Sequence, residues 1–221
     1  MTTATAARAD DLARGIAALG VPVGAAQQAQ LLAYVALLDK WNRTYNLTAI
    51  REPERMVTHH LLDALAVLPH LPARAGLRVL DVGSGGGVPG LPLAIARPDW
   101  RVVLVDTSHK KVAFLTQAAL ELGLANVEPH ATRVEDLVSA APFDVVISRA
   151  FSDLATFATA SARHLAPHGI LVAMKGVHPD EELAELPAQF VVVAKPALAV
   201  PGLDAARHLI VMRHAHGTGT A

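Results

Sequence analysis

A glycine-rich stretch after a short apolar run constrains this 221-residue chain more than any other part of its sequence. The run ends in Asp81, and seven residues of the following stretch, Gly83 to Gly90, are glycine, proline or serine. Glycines at such a turn allow positive φ angles and a close approach of the backbone to a ligand. Free N–H groups at the start of the next helix favour electron-rich ligand atoms. The stretch therefore predicts a strand, a turn and a helix that bind a nucleotide-type cofactor.

Two interpretations of these glycines are open. Residues Gly85 to Gly90 satisfy the G-x-G-x-x-G fingerprint of dinucleotide-binding loops, which by itself is weak evidence. The earlier frame, Gly83-x-Gly85-x-Gly87 two residues after Asp81, resembles the first motif of class I S-adenosylmethionine-dependent methyltransferases. Residues outside the loop have to decide between the two.

From residue 77 onward, short β-branched runs alternate with helical stretches, which is the pattern of parallel βαβ units. The predicted strands are Arg78–Val82, Arg101–Asp106, Val127–Ala131, Phe143–Ser148, Ile170–Lys175, Phe190–Ala194 and His208–Arg213. The predicted helices between them are Pro89–Ala96, His109–Leu122, part of Val134–Leu137, and Leu154–Leu165. No long helix separates the last two strands, so the sequence predicts an α/β fold with a doubly wound seven-stranded sheet. This sheet resembles the Rossmann-like sheet of class I methyltransferases, whose last strand is antiparallel.

The first 75 residues are predicted to be mostly helical, because apolar residues recur there at helical spacing. The predicted helices are Asp11–Leu19, Ala25–Trp41 and a third from Pro53 to about Leu71. We expect an N-terminal helical extension over residues 1–75, a cofactor-binding domain over 76–214 and a flexible tail over 215–221. The extension is expected to pack on the core.

Composition excludes several classes of protein. No apolar run reaches the roughly 18 residues of a membrane span, and the N-terminus lacks the apolar core of a signal peptide. We therefore expect a cytoplasmic protein without a membrane partner. The chain has no cysteine, which excludes disulfides, thiolate metal sites and methylation of pyrimidine C5 through a cysteine adduct. The formal net charge of −1 means that any RNA contact has to come from a local basic patch.

Acidic residues after the second and third strands bear on the choice of cofactor. Asp106 lies roughly 20 residues beyond the glycine turn, where an acid can accept hydrogen bonds from ribose hydroxyls. An acidic helix cap is the structural alternative. Glu135 is harder to place in a dinucleotide site, whereas methyltransferases commonly have an acid there that accepts the adenine amine. These acids favour S-adenosylmethionine over a dinucleotide.

Several motifs then occur in the order found in one family. They are Asp81–Gly90, Ser108–Leu115, Thr132–Asp136, Ile147–Phe151 and Met174–Gly176, preceded by Lys40–Thr48 and His59–Leu65. In this order and register, over about residues 30 to 195, the chain resembles the RsmG family, also called glucose-inhibited division protein B. Ala64 stands where the family often has serine, which is a minor difference.

The resemblance implies transfer of a methyl group from S-adenosylmethionine to N7 of a single guanine, at position 527, in bacterial 16S rRNA. Carried over residue by residue, the donor-binding positions are Gly83, Gly85, Val88, Asp106, Thr107, Ser108, Val134, Glu135 and Arg149. The expected partner is 16S rRNA or the small ribosomal subunit. We expect a monomer without a bound metal.

Three residues are predicted to contact the substrate: Arg149, Lys175 and Asn46. For Asn46, a capping role is the structural alternative. A local basic patch could comprise Arg43, Arg51, Arg55, Lys110, Lys111, Arg133, Arg149 and Lys175. Guanine N7 already has an in-plane lone pair, so no general base is required and no catalytic residue is predicted. His59 and Asp63 have a spacing that can chelate metal, but packing or bonding at the domain interface is favoured.

Three other functions remain open from the sequence. The first is a class I methyltransferase acting on a protein or a small molecule, and the second is an NAD(P)-linked oxidoreductase. The third is a catalytically silent ribosome-assembly factor that uses the fold to bind RNA.

Overall fold

The structure is a computed structural model that describes residues 3–149, 151 and 153–215. Within these residues, seven strands form one sheet in the order β3-β2-β1-β4-β5-β7-β6. The strands are β1 Arg78–Val82, β2 Arg101–Asp106, β3 Val127–Ala131, β4 Phe143–Arg149, β5 Leu165–Lys175, β6 Phe190–Ala194 and β7 His208–His214. Strand β7 is antiparallel to both of its neighbours, β5 and β6. The predicted doubly wound sheet with an antiparallel last strand is confirmed.

The order of the strands fixes where a ligand can bind. Strand β1 pairs in parallel with β2 on one side and with β4 on the other. The chain therefore winds outward in both directions from β1, and the crevice beyond the carboxyl ends of β1 and β4 is the switch point of the sheet. Asp81 lies at this point, with Leu104 and Ile147 as its neighbours on the flanking strands.

Alternate residues of the central strands are buried in two separate cores. Val79, Leu104 and Val145 face a core that is shared with the N-terminal helices. Leu80 and Val146 face the other core, under a C-terminal helix. Burial on both faces explains why these strands are almost continuously apolar. In contrast, β3 is an edge strand and carries charged and proline residues.

Helices cover both faces of the sheet. They are α1 Thr3–Leu19, α2 Ala25–Tyr45, α3 Pro53–Met56, α4 Asp63–Leu65, α5 Gly90–Ala96, α6 His109–Glu121, α7 Leu154–Ser161 and α8 Asp180–Ala184. A π-helical turn, Val57–Leu62, joins α3 to α4. Short 3₁₀ turns cover Leu68–His70, Val134–Asp136 and Ala162–His164. Side chains of α1 and α2 share the core of α5 and α6, so the extension packs directly against the sheet domain.

Several element boundaries differ from the predicted ones. Helix α1 begins eight residues earlier than predicted, at Thr3 rather than Asp11, and α2 continues to Tyr45. Asn46 ends α2 in the left-handed region, at φ 51°, which asparagine tolerates better than most residues. The third predicted helix is interrupted by the π-helical turn, and α8 was not predicted. Of the tail predicted as flexible, residues 216–221 lie outside the described residues.

Candidate active site

The glycine turn after β1 has the backbone that its sequence predicts. Gly83, Gly85 and Gly87 have φ angles of 72°, 57° and 91°, a region that side chains strongly disfavour. The N–H groups of Gly83 and Ser84 donate to the carbonyl of Val105, which ties the turn to the end of β2. The backbone is thereby held open toward the crevice between the strands.

Asp81 supports the turn from below and is fully buried. Its Oδ2 accepts a hydrogen bond of 3.0 Å from the backbone N–H of Gly90. A Cβ atom at Gly90 would lie 2.7 Å from that oxygen and 2.3 Å from Leu104, so only glycine fits there. The other oxygen, Oδ1, has no hydrogen-bond partner among the described residues. Burial raises the pKa of Asp81 to about 7, against the opposing effects of the Gly90 bond and of Arg149.

Asp106 ends β2 and is only 7% exposed. Its Oδ2 accepts from the N–H of Gly85 at 3.0 Å and lies 3.5 Å from Lys111 Nζ, and its Oδ1 accepts from the N–H of Ser108 at 2.9 Å. The carboxylate thus joins the glycine turn to the start of α6, and it also lines a cavity. The two roles considered for Asp106, helix start and cofactor site, are compatible.

Two cavities meet at Gly83, above the ends of the strands. The larger has a volume of about 400 Å³ and is lined by Asp106, Thr107, Val134 and Glu135, with Phe151 also on its wall. The smaller has a volume of about 240 Å³ and is lined by Gly83 to Gly86 and Val88, together with His60 and Arg149. Ser108 lines neither cavity, but its N–H holds Asp106.

Glu135 lies at the outer wall of the larger cavity. Its carboxylate pairs with Arg133 at 3.0 Å, and its backbone N–H and this arginine lower its pKa. Its backbone carbonyl accepts a 2.6 Å hydrogen bond from Arg163. The side chain is about half exposed, so an acceptor for an amine is available at this wall.

The N-terminal extension forms one side of the smaller cavity. Leu47, Thr48 and Ala49, which follow α2, line it directly. Tyr34 of α2 is buried, and its hydroxyl donates a 2.6 Å hydrogen bond to the carbonyl of Gly86 in the glycine turn. Asn42, also buried, holds the 47–50 segment by accepting from Thr48 N–H at 2.9 Å. The extension is therefore part of the site.

His60 lies at the border between the extension and the sheet. Its Nε2 is 2.9 Å from Thr48 Oγ1. Burial, and next the charge of Arg149, lower the pKa of His60 to about 4. The imidazole is therefore uncharged at neutral pH.

Arg149, the last residue of β4, connects the smaller cavity to a third. Its Nη1 donates to the carbonyl of His59 at 2.9 Å and lies 3.4 Å from Asp63 Oδ2. The third cavity has a volume of about 360 Å³ and is lined by Asp63, Arg149, Met174, Lys175, Gly176 and Arg207. Arg207 Nε donates to Asp63 Oδ1 at 3.0 Å.

The other residues predicted to contact substrate have local partners. Lys175 is only 11% exposed at its side chain and pairs with Glu182 at 2.7 Å. Asn46 caps α2, and Arg51 Nη2 lies 3.4 Å from its Oδ1. Most of the predicted basic patch is paired in the same way, with ion pairs at Arg43, Arg55, Lys111, Arg133, Arg149 and Lys175. Of the patch, Lys110 and Arg51 form no ion pair with any described residue.

No metal site emerges from the spacing of His59 and Asp63. Asp63 faces two arginines, and His59 Nδ1 lies 3.0 Å from the carbonyl of Arg55. Across residues 3–149, 151 and 153–215, no three histidine, aspartate or glutamate side chains are grouped so as to hold a metal. None of the helices in those ranges has the length and apolarity of a membrane span.

Comparison with known proteins identifies the family. The family model described as GidB, rRNA small subunit methyltransferase G, matches residues 27–210. The ribosomal RNA small subunit methyltransferase G of Nitrosospira multiformis is 55% identical over 215 residues, which cover 94% of this chain and 98% of that protein. The chain belongs to this family. The protein of the same name from Pseudomonas aeruginosa is 54% identical over 214 residues, 96% of this chain and 99% of that one.

Solved structures with the same fold are more distant in sequence. The N-methyltransferase NodS from Bradyrhizobium japonicum, in complex with S-adenosyl-L-homocysteine, has a TM-score of 0.56 at 15% identity, over 81% of this chain and 98% of that chain. TrmN from Thermus thermophilus has a TM-score of 0.55 at 21% identity, over 72% of this chain and 53% of that chain. They establish the class I methyltransferase fold that the sequence predicts.

S-adenosylmethionine is the methyl donor of the rRNA small subunit methyltransferase G family, and the described residues fit it. The glycine turn presents its backbone to two adjoining cavities that meet at Gly83. Asp106 supplies a carboxylate at the wall of the larger one, where ribose hydroxyls need an acceptor. Beneath the turn, Asp81 keeps one buried oxygen without a partner among the described residues. This set suits an adenosine with a cationic amino-acid extension.

Sequence reasoning found only part of this candidate site, and from the extension it proposed only Asn46. Tyr34, Thr48 and Arg207 were not predicted as site residues, and Asp63 was expected to take part in packing or in bonding at the domain interface, which agrees with its contacts to Arg149 and Arg207. Arg149 meets Asp63 across 86 positions of sequence, and Arg207 meets it across 144. The only sequence signal was that two histidines and an aspartate stand together in an otherwise apolar helical segment.

Proposed function

We propose that this protein transfers the methyl group of S-adenosylmethionine to N7 of a single guanine in bacterial 16S rRNA. The nucleotide is the one at position 527, as the family resemblance implies. The observation that carries the proposal is the position of Arg149, which borders both the smaller donor cavity and the adjacent basic cavity. A methyl group at that border lies between the donor cavity and a cavity whose cationic side chains suit an RNA nucleotide.

In this proposal the two cavities that meet at Gly83 hold the donor. Asp106 accepts from the ribose hydroxyls, with Thr107 beside it and Ser108 holding its carboxylate. Glu135 and Val134 form the adenine end, and Gly83, Gly85 and Val88 form the turn around the amino-acid end. Bound there, S-adenosylmethionine supplies an electrophilic methyl group on a sulfonium centre.

The third cavity takes the acceptor nucleotide in this proposal. Arg149, Lys175 and Arg207 offer three cations to a phosphodiester or to guanine O6, and Met174 offers an apolar wall to the base. Asp63 and Glu182 offset two of those charges. Asn46 lies outside the residues that line the three cavities, so we assign it to the cap of α2 and, at most, to an outer RNA contact.

The chemistry asks little of the side chains beyond orientation. Guanine N7 carries a free lone pair, so no proton has to leave before it attacks the methyl carbon. Holding the two reactants in line can contribute about 7–11 kcal/mol to lowering the barrier. His60, uncharged at neutral pH, borders the donor cavity without adding a repulsive charge. The absence of a predicted catalytic residue is in keeping with this.

The partner is 16S rRNA, naked or within the small subunit, and we propose that the protein acts on it as a monomer without a metal. Because bacterial ribosomes assemble in the cytoplasm, the protein is proposed to act there. The N-terminal helices 1–75 and the sheet domain 76–214 then work as one unit, since each contributes walls to the donor cavity.

The test is methylation of RNA that lacks the modification. The protein is incubated with labelled S-adenosylmethionine and either deproteinised 16S rRNA or small subunits, and 7-methylguanine is then mapped by reductive strand scission. We expect one cleavable site. Labelled RNA without a cleavable site would contradict N7 as the target, and an Arg149→Ala variant serves as the control with a defective site.

A further inference from the structure

We propose that Asp63 is a positioning residue that fixes Arg149 and Arg207 against each other, and so sets the border between the donor cavity and the acceptor cavity. The inference rests on the proposed function, because it assigns a task to the residues that line those cavities. Asp63 belongs to the N-terminal extension, whereas Arg149 ends β4 and Arg207 directly precedes β7. One carboxylate thus joins three separate parts of the chain.

The contacts of Asp63 divide evenly between the two arginines. The residue is 1% exposed. Its Oδ1 accepts from Arg207 Nε at 3.0 Å, and its Oδ2 lies 3.4 Å from Arg149 Nη1. Neither arginine is deeply buried, with side chains 23% and 27% exposed. The buried anion is therefore the fixed point, and the two cations are the groups it holds.

The π-helical turn before Asp63 gives Arg149 a second anchor. The backbone N–H of Asp63 donates to the carbonyls of Thr58 and His60. The carbonyl of His59, which the N–H at Asp63 would bind in a regular α-helix, instead accepts a 2.9 Å hydrogen bond from Arg149. The turn thus offers both a carbonyl and a carboxylate to the same guanidinium. π-helical turns of this kind occur frequently at functional sites.

Electrostatics explains why the carboxylate matters for position. Two guanidinium groups that share one small region repel each other, and the anion between them offsets that repulsion. Without it, Arg149 keeps only its bond to the His59 carbonyl and a 3.4 Å approach to His60 Nδ1. The arginine can then turn toward solvent, away from one or both cavities. A displacement of about 1 Å at a reacting site can lower the rate by about 100-fold.

The test is a double-mutant cycle with full-length protein, measured as the rate of labelled methyl transfer to RNA. Asp63→Asn keeps the shape of the side chain but removes its charge. We expect it to lower kcat/KM by roughly 10–100-fold in the wild-type background. In the Arg149→Ala background the same substitution should have a clearly smaller effect, because only Arg207 is then left for Asp63 to position.

A matched control separates position from stability. Asp144→Asn also removes a carboxylate that pairs with an arginine, Arg74, at the amino end of the strands and far from the cavities. This variant should lower the melting temperature while leaving kcat/KM near the wild-type value. If Asp63→Asn lowers activity equally in both backgrounds, or not at all, the positioning role is wrong.

A second variant covers the case in which Asp63→Asn does not fold. Arg207→Gln, at a more exposed position, removes the second arginine that Asp63 holds and should lower kcat/KM by about tenfold with an unchanged melting temperature. Unchanged activity in this variant would contradict the positioning role of Asp63. The double-mutant cycle measures the total rate of methyl transfer, so its result can be interpreted even if the methylated atom is not guanine N7. Mapping the product of the wild-type protein tests the methylated atom separately.

Discussion

At the scale of single residues, the proposed donor site rests on carboxylates that the fold removes from water. Asp81 and Asp106 lie at the carboxyl ends of adjacent strands, and each accepts a hydrogen bond from a backbone N–H of the glycine-rich stretch. Both were found from sequence because strand-end positions next to a glycine turn are visible in the pattern. Their partners in the glycine-rich stretch, the N–H groups of Gly85 and Gly90, were not predicted. The sequence also did not predict that Oδ1 of Asp81 is buried without a hydrogen-bond partner among the described residues, because burial is a property of the assembled sheet.

The buried carboxyl of Asp81 predicts a pH-dependent stability. Its pKa rises from 3.8 to about 7 on folding, mainly through burial, with Arg149 lowering it and Asp106 raising it. A raised pKa means that the folded state binds this proton more tightly. The stabilisation is therefore present below about pH 4 and disappears as the pH rises through 7.

We predict that Asp81→Asn abolishes this pH dependence, because asparagine cannot ionise and its oxygen can still accept from Gly90 N–H. The melting temperature of the variant relative to wild type should rise between pH 5 and pH 8. The stability difference should change by up to about 2–3 kcal/mol over two pH units. Thermal unfolding at several pH values measures this, and a constant difference between the two proteins would contradict it.

At the scale of elements, helix α2 supports the glycine turn, and with it the proposed donor site, through one hydroxyl. Tyr34 is fully buried, and burial raises its pKa, so it remains a neutral donor to the Gly86 carbonyl. The sequence predicts α2 from its apolar spacing. It does not predict that this face meets the glycine turn, because the contact spans 52 positions.

We predict that Tyr34→Phe weakens donor binding as well as folding. Loss of the hydroxyl should lower the free energy of unfolding by about 0.5–1.5 kcal/mol. It should also raise the Kd for S-adenosylhomocysteine by about 3–10-fold, since the turn is less firmly held. Calorimetric titration and urea unfolding measure the two effects.

Gln27→Ala is the control for this prediction. Gln27 lies on the same helix, and its side chain donates to the carbonyls of Ile95 and Ala96 at the far end of α5. The Gln27→Ala variant should be less stable than the wild type, with no change in the Kd for S-adenosylhomocysteine. If both variants weaken binding equally, Tyr34 has no specific role in holding the turn.

The π-helical turn marks the limit of prediction at this scale. Apolar spacing indicates a helix from Pro53 onward, and a helix is indeed there. The π-helical turn leaves the His59 carbonyl to accept a hydrogen bond from Arg149, which is far away in sequence. Local propensity carries no information about such a bond.

At the scale of the whole molecule, the seven strands, the doubly wound sheet and the helical extension follow from the alternation of runs in the sequence, whereas the antiparallel last strand was expected from the resemblance to class I methyltransferases. The packing of the extension onto the donor cavity does not follow from it. The same holds for charge. The net charge of −1 is known from composition, whereas only the structure shows that most residues of the predicted basic patch form ion pairs.

That pairing sharpens the prediction for the RNA interface. Lys110 and Arg51 are exposed, and among the described residues neither has an ion-pair partner. The double variant Lys110→Glu with Arg51→Glu should weaken RNA binding and reduce the slope of log K against log salt by about 0.7–0.9 for each phosphate that the protein no longer neutralises. Arg101→Glu, at the exposed amino end of β2, should leave the slope unchanged. Equal effects of the two variants would mean that RNA does not bind through Lys110 and Arg51.

The most direct test of the account is a comparison of two substrates that differ only at N7. The 16S transcript is made with guanosine or with 7-deazaguanosine, which replaces N7 by a carbon, and each is offered naked and in reconstituted small subunits. The account predicts methyl transfer from labelled S-adenosylmethionine to the guanosine substrate and none to the 7-deaza substrate. Equal labelling of both would contradict it.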